Sequence, residues 1–147
     1  MEADIVKDLG RVGIPKRVSA DALATILKKR AMPVFYSVAE DAEHRPLNVN
    51  ADDFALILAI ACRAKRLVFL TDTGGVLDGD GRVISKLAPK DVERLEQSGV
   101  IQGGMLVKAK ACVGALQQGV GSVDIVKGIK YLLLSSQADG TVFSNGH

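Results

Sequence analysis

Arg66-Leu67-Val68-Phe69-Leu70 constrains the fold most: a short apolar run that follows a helical pattern and leads into a glycine-containing turn. Such a run is too short for a helix and suits a strand buried on both faces. Pro33-Val34-Phe35-Tyr36-Ser37-Val38, Ser122 to Val126 and Thr141-Val142-Phe143 read as further strands. Helices fall between them. Ser19 is placed to cap one carrying Leu23, Ile26 and Leu27, with Lys28, Lys29 and Arg30 at its negative end. Asn50 caps a second over Ala51 to Arg63, apolar on most sides and therefore buried. Pro89 opens a third that ends at Gly99, and Gly103-Gly104 precede a fourth from Met105 to about Gln118. A helical turn is expected at Tyr131 to Leu134. Val76-Leu77 and Val83-Ile84 flank Asp78-Gly79-Asp80-Gly81, a strong hairpin turn. The alternation predicts an α/β fold: a three-layer αβα sandwich with a mainly parallel sheet and an inserted β-hairpin. Residues 1–18, broken by Gly10, Gly13 and Pro15, are expected to be loosely ordered loop with at most a short strand, as are 144–147. Glu40 to Pro46 reads as a loop or hairpin.

At 147 residues the chain suits a single domain. A net charge of +2 and an aromatic fraction of 4%, with no Trp, argue against nucleic acid as a partner. The longest apolar run, Phe54 to Cys62, is far shorter than the ~20 residues of a membrane span. The start, Met-Glu-Ala-Asp-Ile-Val-Lys-Asp, has no basic region followed by an apolar stretch, so no signal peptide is expected. Cys62 and Cys112 lie in apolar helical patterns and are expected to be core thiols, which with the rest suggests a cytoplasmic protein.

Three segments have the composition of a site. Asn48-Val49-Asn50-Ala51-Asp52 sets two amides and a carboxylate at a helix start, a pattern that plain capping by Asn50 also explains. In Leu70-Thr71-Asp72-Thr73-Gly74-Gly75-Val76-Leu77-Asp78 a buried strand ends in a hydroxyl and a carboxylate before two glycines. Glycines let backbone approach a ligand closely, and an ordinary strand-to-hairpin turn accounts for them equally. In Gly103-Gly104-Met105-Leu106-Val107-Lys108 a glycine pair opens a helix that carries a lysine in its first turns. Free N–H groups and the helix dipole favour an anion there. A cation so close to the positive end of a helix needs a reason, which a phosphate or plain solvation would supply.

Other signals fall short. Asp78-Gly79-Asp80-Gly81 resembles a calcium loop but lacks the further carboxylates and the terminal Glu. Neither glycine-rich nucleotide fingerprint is present. His44 and His147 are far apart and do not argue for a metal site. Lys110, Lys127 and Lys130 read as solvated charges.

Taken in order, Asn48-Val49-Asn50-Ala51-Asp52, Leu70-Thr71-Asp72 with Gly75-Val76-Leu77-Asp78, and Gly104-Met105 with Lys108 resemble acetylglutamate kinases of the amino-acid kinase superfamily, over about Val12 to Thr141. The resemblance implies the nucleotide-binding, C-terminal half of that fold. It implies transfer of the γ-phosphate of ATP, as its Mg²⁺ complex, to the side-chain carboxylate of N-acetyl-L-glutamate in arginine biosynthesis. Asn48 would contact the α-carboxylate of the acyl amino acid, Asp52 would orient catalytic lysines, and Lys108 would stabilise charge on the phosphates. Thr71, Asp72, Gly74, Gly75, Val76 and Leu77, with Val100, Ile101, Gln102, Gly104 and Met105, would line ATP or ADP. Phosphoryl transfer depends on positioning and charge neutralisation, which suits these residue types.

The family's first half, with its glycine-rich phosphate segment, a catalytic lysine and a substrate arginine, has no counterpart in residues 1–18. The chain alone is therefore expected to be incomplete: truncated, fragmentary, or one piece of a split enzyme. A separate N-terminal half or a homo-oligomer would be its partner. Gly128 to Ser136 departs from the family's Pro-His and Glu-Leu-Phe-Thr stretches, which puts arginine feedback in doubt. Two alternatives stand beside the kinase reading: a non-catalytic nucleotide-binding or regulatory domain, and a kinase for a related acyl amino acid such as an aminoadipate derivative.

Overall fold

The computed structural model describes residues 1–6, 9–29, 32–128 and 140–145. The chain forms two compact units, Met1–Arg63 and Ala64–His147.

In the first unit, β1 (Glu2–Ile5) and β2 (Val12–Arg17) form an antiparallel pair, with Ala3 opposite Pro15 and Ile5 opposite Gly13. After helix α1 (Ala20–Lys28) come β3 (Val38–Glu40) and β4 (Pro46–Val49), again antiparallel. β1 pairs in parallel with β3, and β2 with β4, which closes the four strands on themselves. Ala3, Ala39, Leu47, Val49 and Phe54 fill the interior. Gly13 has no room for a side chain: a Cβ there would lie 2.9 Å from both the Asp4 carbonyl and Leu47 Cδ1. Helix α2 (Ala51–Ala61) supplies Phe54 and also buries Leu56 and Ala59.

Residues 1–18, expected as loop, are therefore largely strand. The segment expected as a strand at 33–38 joins a ladder only from Val38. Val34 and Tyr36 stand 90% and 78% exposed, and Phe35 is placed by its ring, 6.4 Å from that of Phe54. β-branched and aromatic residues make a strand only where a partner strand meets them.

In the second unit, β5 (Leu67–Thr71), β6 (Lys86–Leu87), β7 (Val123–Lys127) and β8 (Gly140–Phe143) form one sheet in the order β5-β7-β8-β6. β5 and β7 are parallel, as are β6 and β8, and β7 and β8 run antiparallel. The first four residues of β7 are buried, as a strand covered on both faces requires. Helices α3 (Pro89–Gln97) and α4 (Gly103–Gln117) pack on each other, and α4 also lies on β7 and β8. α3 starts with Pro89, and the Asp91 carboxylate accepts from the Ala88 N–H at 2.9 Å. α4 buries a stripe of Ala109, Cys112, Ala115 and Leu116. The inserted hairpin is present as a Leu77–Val83 bridge.

The α/β class and the alternation of strands and helices are as the sequence predicts. The helical turn expected at Tyr131–Leu134 lies outside the described residues. Among the described residues no helix is long and apolar enough to cross a membrane.

Candidate functional site

Parallel register in the second unit sets Thr71, at the end of β5, opposite Lys127, at the end of β7. Beyond Thr71 the chain turns back on itself. The Gly74 N–H donates to Thr71 Oγ1 at 3.1 Å, and Thr73 Oγ1 lies 3.4 Å from the same atom. Gly74 has φ +74°, and a Cβ on it would come within 2.7 Å of the Lys127 Cβ. A Cβ on Gly75 would lie 2.8 Å from both Thr141 Oγ1 and Val83 Cγ1. The next N–H, of Val76, donates to Thr141 Oγ1 at 2.8 Å, with both residues fully buried. The hairpin is then closed by Asp78, whose Oδ1 accepts from the N–H groups of Asp80 and Arg82 at 2.9 and 2.8 Å. The close backbone approach that these glycines allow is made here toward the protein's own β7, β8 and hairpin, as in the ordinary strand-to-hairpin turn that the sequence equally admits. Asp72 stands exposed at the strand end.

Helix α4 begins at the same edge of the sheet. It leads into β7, which is parallel to β5, so it runs back along the strands and starts at their carboxyl ends. Gln102 holds the cap position, but its amide turns away and donates to the Gly99 carbonyl at 2.9 Å. No acidic side chain stands in the first turn, and a Cβ on Gly103 or Gly104 would meet nothing within 4 Å. No side chain caps the first-turn N–H groups, the state in which a helix start can receive an anion. Ile101 is buried, Met105 half-buried and Val100 exposed. One turn further on, the Lys108 ammonium sits 5.4 Å from the centre of the Phe69 ring in β5. The structure therefore brings Thr71–Leu77 and Val100–Lys108 to one end of one sheet.

Asn48 and Asp52 belong to the first unit. Asn48 is an exposed residue of β4, its N–H donating to the Arg11 carbonyl at 2.9 Å. Asn50 Oδ1 accepts from the N–H groups of Asp52 and Asp53 at 2.9 and 3.2 Å, the capping that the sequence allows. Asp52 is half-buried in the first turn of α2, where a carboxylate complements the helix dipole.

A sequence model of the amino acid kinase family matches residues 2–127. The chain belongs to the amino acid kinase family. It is 46% identical over 121 residues to the acetylglutamate kinase of Methylobacterium nodulans, covering 82% of this chain and 40% of that protein. It is 43% identical over 132 residues to that of Koribacter versatilis, covering 90% and 51%. The chain thus spans about half the length of the curated relatives it matches. Among solved structures, smu.665 from Streptococcus mutans superposes with a TM-score of 0.80 at 28% identity, over 98% of this chain and 56% of that one. Carbamate kinase from Giardia lamblia bound to AMP-PNP superposes with a TM-score of 0.66 at 16% identity, over 90% and 52%, a likeness of fold alone.

Around the candidate site of this amino acid kinase chain, three residues escaped sequence reasoning. Phe69 reads as one more apolar strand residue, yet its ring meets Lys108. Lys127 reads as a solvated charge; it is exposed, but its stem backs Gly74. Thr141 reads as part of a closing strand, yet its hydroxyl fixes the backbone after the glycine pair. Only the apolar setting of that lone hydroxyl hinted at a role. Lys110 pairs with Glu96 at 2.5 Å, and Lys130 and His147 lie outside the described residues. Cys112 is buried as expected, whereas Cys62 is exposed, because α2 ends there and turns out at Arg63, φ +47°. The two form no disulfide.

Proposed function

We propose that this chain serves the ATP-dependent phosphorylation of the side-chain carboxylate of N-acetyl-L-glutamate, as the nucleotide-binding part of an acetylglutamate kinase. The observation that carries the reading is the meeting of Thr71–Leu77 and the uncapped, glycine-led start of α4 at the carboxyl end of one sheet. In open α/β sheets ligands bind at that end. The names of the relatives agree with it.

In this reading the phosphates of the nucleotide lie toward the α4 start, where N–H groups and the helix dipole receive negative charge. Lys108 neutralises charge that spreads over the transferring group. Thr71, Asp72 and the turn to Leu77 line one side of the nucleotide, and Val100, Ile101, Gln102, Gly104 and Met105 the other. Mg²⁺ enters with ATP as part of the substrate complex, held mainly by phosphates and water as that ion prefers. In the first unit Asn48 would take the α-carboxylate of the acyl amino acid. Asp52 would fix a catalytic ammonium by a charge-assisted hydrogen bond. A separate N-terminal half or a second copy of the chain is the partner that this reading calls for. A related acyl amino acid, such as an aminoadipate derivative, is the alternative acceptor.

One observation favours a second reading, a nucleotide-binding or regulatory domain without catalysis. Gly74, Gly75 and Asp52 each have a structural role of their own in packing or at a helix start. Calorimetric titration with MgADP tests the shared premise. Saturable binding is expected, with Lys108→Ala raising Kd about 10-fold or more, the usual cost of losing a charged hydrogen bond. The far-UV spectrum should not change. Equal affinity in the variant would remove Lys108 from the site, and no binding by the folded parent would refute the nucleotide reading.

A further inference from the structure

We infer that residues 32–36 and the groove beside them form the surface on which the N-terminal half of an amino acid kinase docks, an inference that rests on the partner half proposed above. Met32-Pro33-Val34-Phe35-Tyr36 belongs to no strand, although its residues are mostly strand formers. Among the described residues, no backbone hydrogen bond joins residues 32–35 to other backbone. Met32, Val34 and Tyr36 are 90%, 90% and 78% exposed. Residues spaced two apart share one face of a strand, so these three would make an apolar face with nothing on it. Phe35, at the alternate position, meets the ring of Phe54. A segment apolar at both alternations suits a strand covered on both faces. Pro33 lacks an N–H, which confines it to the start or the edge of such a strand. Beside the segment lies a groove of about 300 Å³, walled by Leu23 and Ile26 of α1, Phe54 and Leu58 of α2, and Val38. Unpaired main chain next to an apolar groove is what strand addition uses: backbone bonds supply affinity, and pockets for side chains supply specificity. Exposed apolar surface of this kind marks an interaction site. Length argues for the occupant. The curated relatives are about twice as long as this chain, so a complete kinase has as much polypeptide again to lay on this face. From its first unit, a second copy could lend only the same segment, because the other four strands already close on themselves.

The test co-expresses the full chain with the N-terminal half of the Methylobacterium nodulans acetylglutamate kinase. Two quantities are read: the Kd of the purified complex, by sedimentation of a dilution series, and hydrogen exchange of the amides at residues 32–37. A complex is expected, with exchange at these amides slower than in the chain alone. Val34→Asp should raise the Kd about 10-fold or more, because docking would bury an unpaired charge, and Val34→Ile should stay near parental. Tyr36→Asp is the second charged variant should Val34→Asp fail to fold. Recovery of the chain without the co-expressed half would overturn the inference. So would a complex with unchanged exchange at these amides, or a parental Kd in the charged variant. Exchange that slows as the chain alone is concentrated would assign the face to a second copy and overturn it equally. MgADP titration of the chain alone reports on the nucleotide reading separately. Binding without a complex sinks only the docking surface, and a complex without binding sinks only the nucleotide reading.

Discussion

Replacing Thr141 by Val tests how the second unit holds its candidate nucleotide segment. The hydroxyl accepts the Val76 N–H at 2.8 Å, and both residues are 0% exposed, so water cannot replace the bond. Leaving a buried N–H without an acceptor costs about 1–3 kcal/mol. The methyl that replaces the hydroxyl is itself buried, which returns up to about 0.8 kcal/mol. The net expectation is a loss of about 1–2 kcal/mol, with the sign set by the orphaned amide. Urea unfolding followed by circular dichroism reads it as a lower midpoint at unchanged slope. Thr141→Ser keeps the acceptor and loses only a methyl, so it should fall between parent and Thr141→Val. Should Thr141→Val match the parent, or prove more stable than Thr141→Ser, the hydroxyl would not be what fastens the turn.

Asn50→Ala removes the acceptor for two N–H groups at the start of α2 and should cost about 1 kcal/mol, while Asn50→Asp should cost little; thermal unfolding compares the two. Asp41 controls the acid response of the first unit. Burial by itself would raise its carboxyl, but the Arg45 N–H and the Arg11 and Arg45 guanidiniums outweigh that and hold it at about 2. A carboxyl so depressed stabilises the fold in full above the ordinary Asp value of about 4, and that share is lost as pH falls toward 2. Urea midpoints measured from pH 5 down to pH 2 should therefore decline, and Asp41→Asn should start lower and decline less.

The second unit was the more legible in the sequence because its signals are local. Val123, Ile125 and Val126 are buried in β7 as a covered strand requires, and Pro89, Gly99 and Gly119 mark helix limits, whereas β5, expected to be buried on both faces, ends the strand order, buries only Phe69 and leaves Leu70 exposed. The first unit was less legible because its strands exist through distant partners. Gly10, Gly13 and Pro15 look like breakers, yet Gly13 is demanded by contact with Asp4 and Leu47. Pro15 lies beyond the stretch of β2 that pairs with β4, so its missing N–H breaks no bond on that side. Phe35 and Tyr36 have strand propensity without a ladder to join. The candidate site divides in the same way. Its glycines and Lys108 announce themselves by spacing, while Phe69, Lys127 and Thr141 gain their roles only when separate elements meet.

The place of β8 in its sheet orders events during synthesis. β8 follows every other described strand of its unit in sequence, yet it lies between β7 and β6, and β6 joins the sheet through its parallel pairing with β8. While the chain is being made, β5 can pair with β7 once Lys127 has emerged, but β6 must wait for Gly140 to Phe143. Until then the Val76 amide lacks its acceptor, and the turn carrying Gly74 and Gly75 cannot lock. A nascent chain stopped short of Gly140 would hold the central parallel pair and an unfinished edge. Exposed unpaired backbone of that kind recruits chaperones and other chains. Translation through the last strand is thus the step that turns a sticky intermediate into a finished sheet.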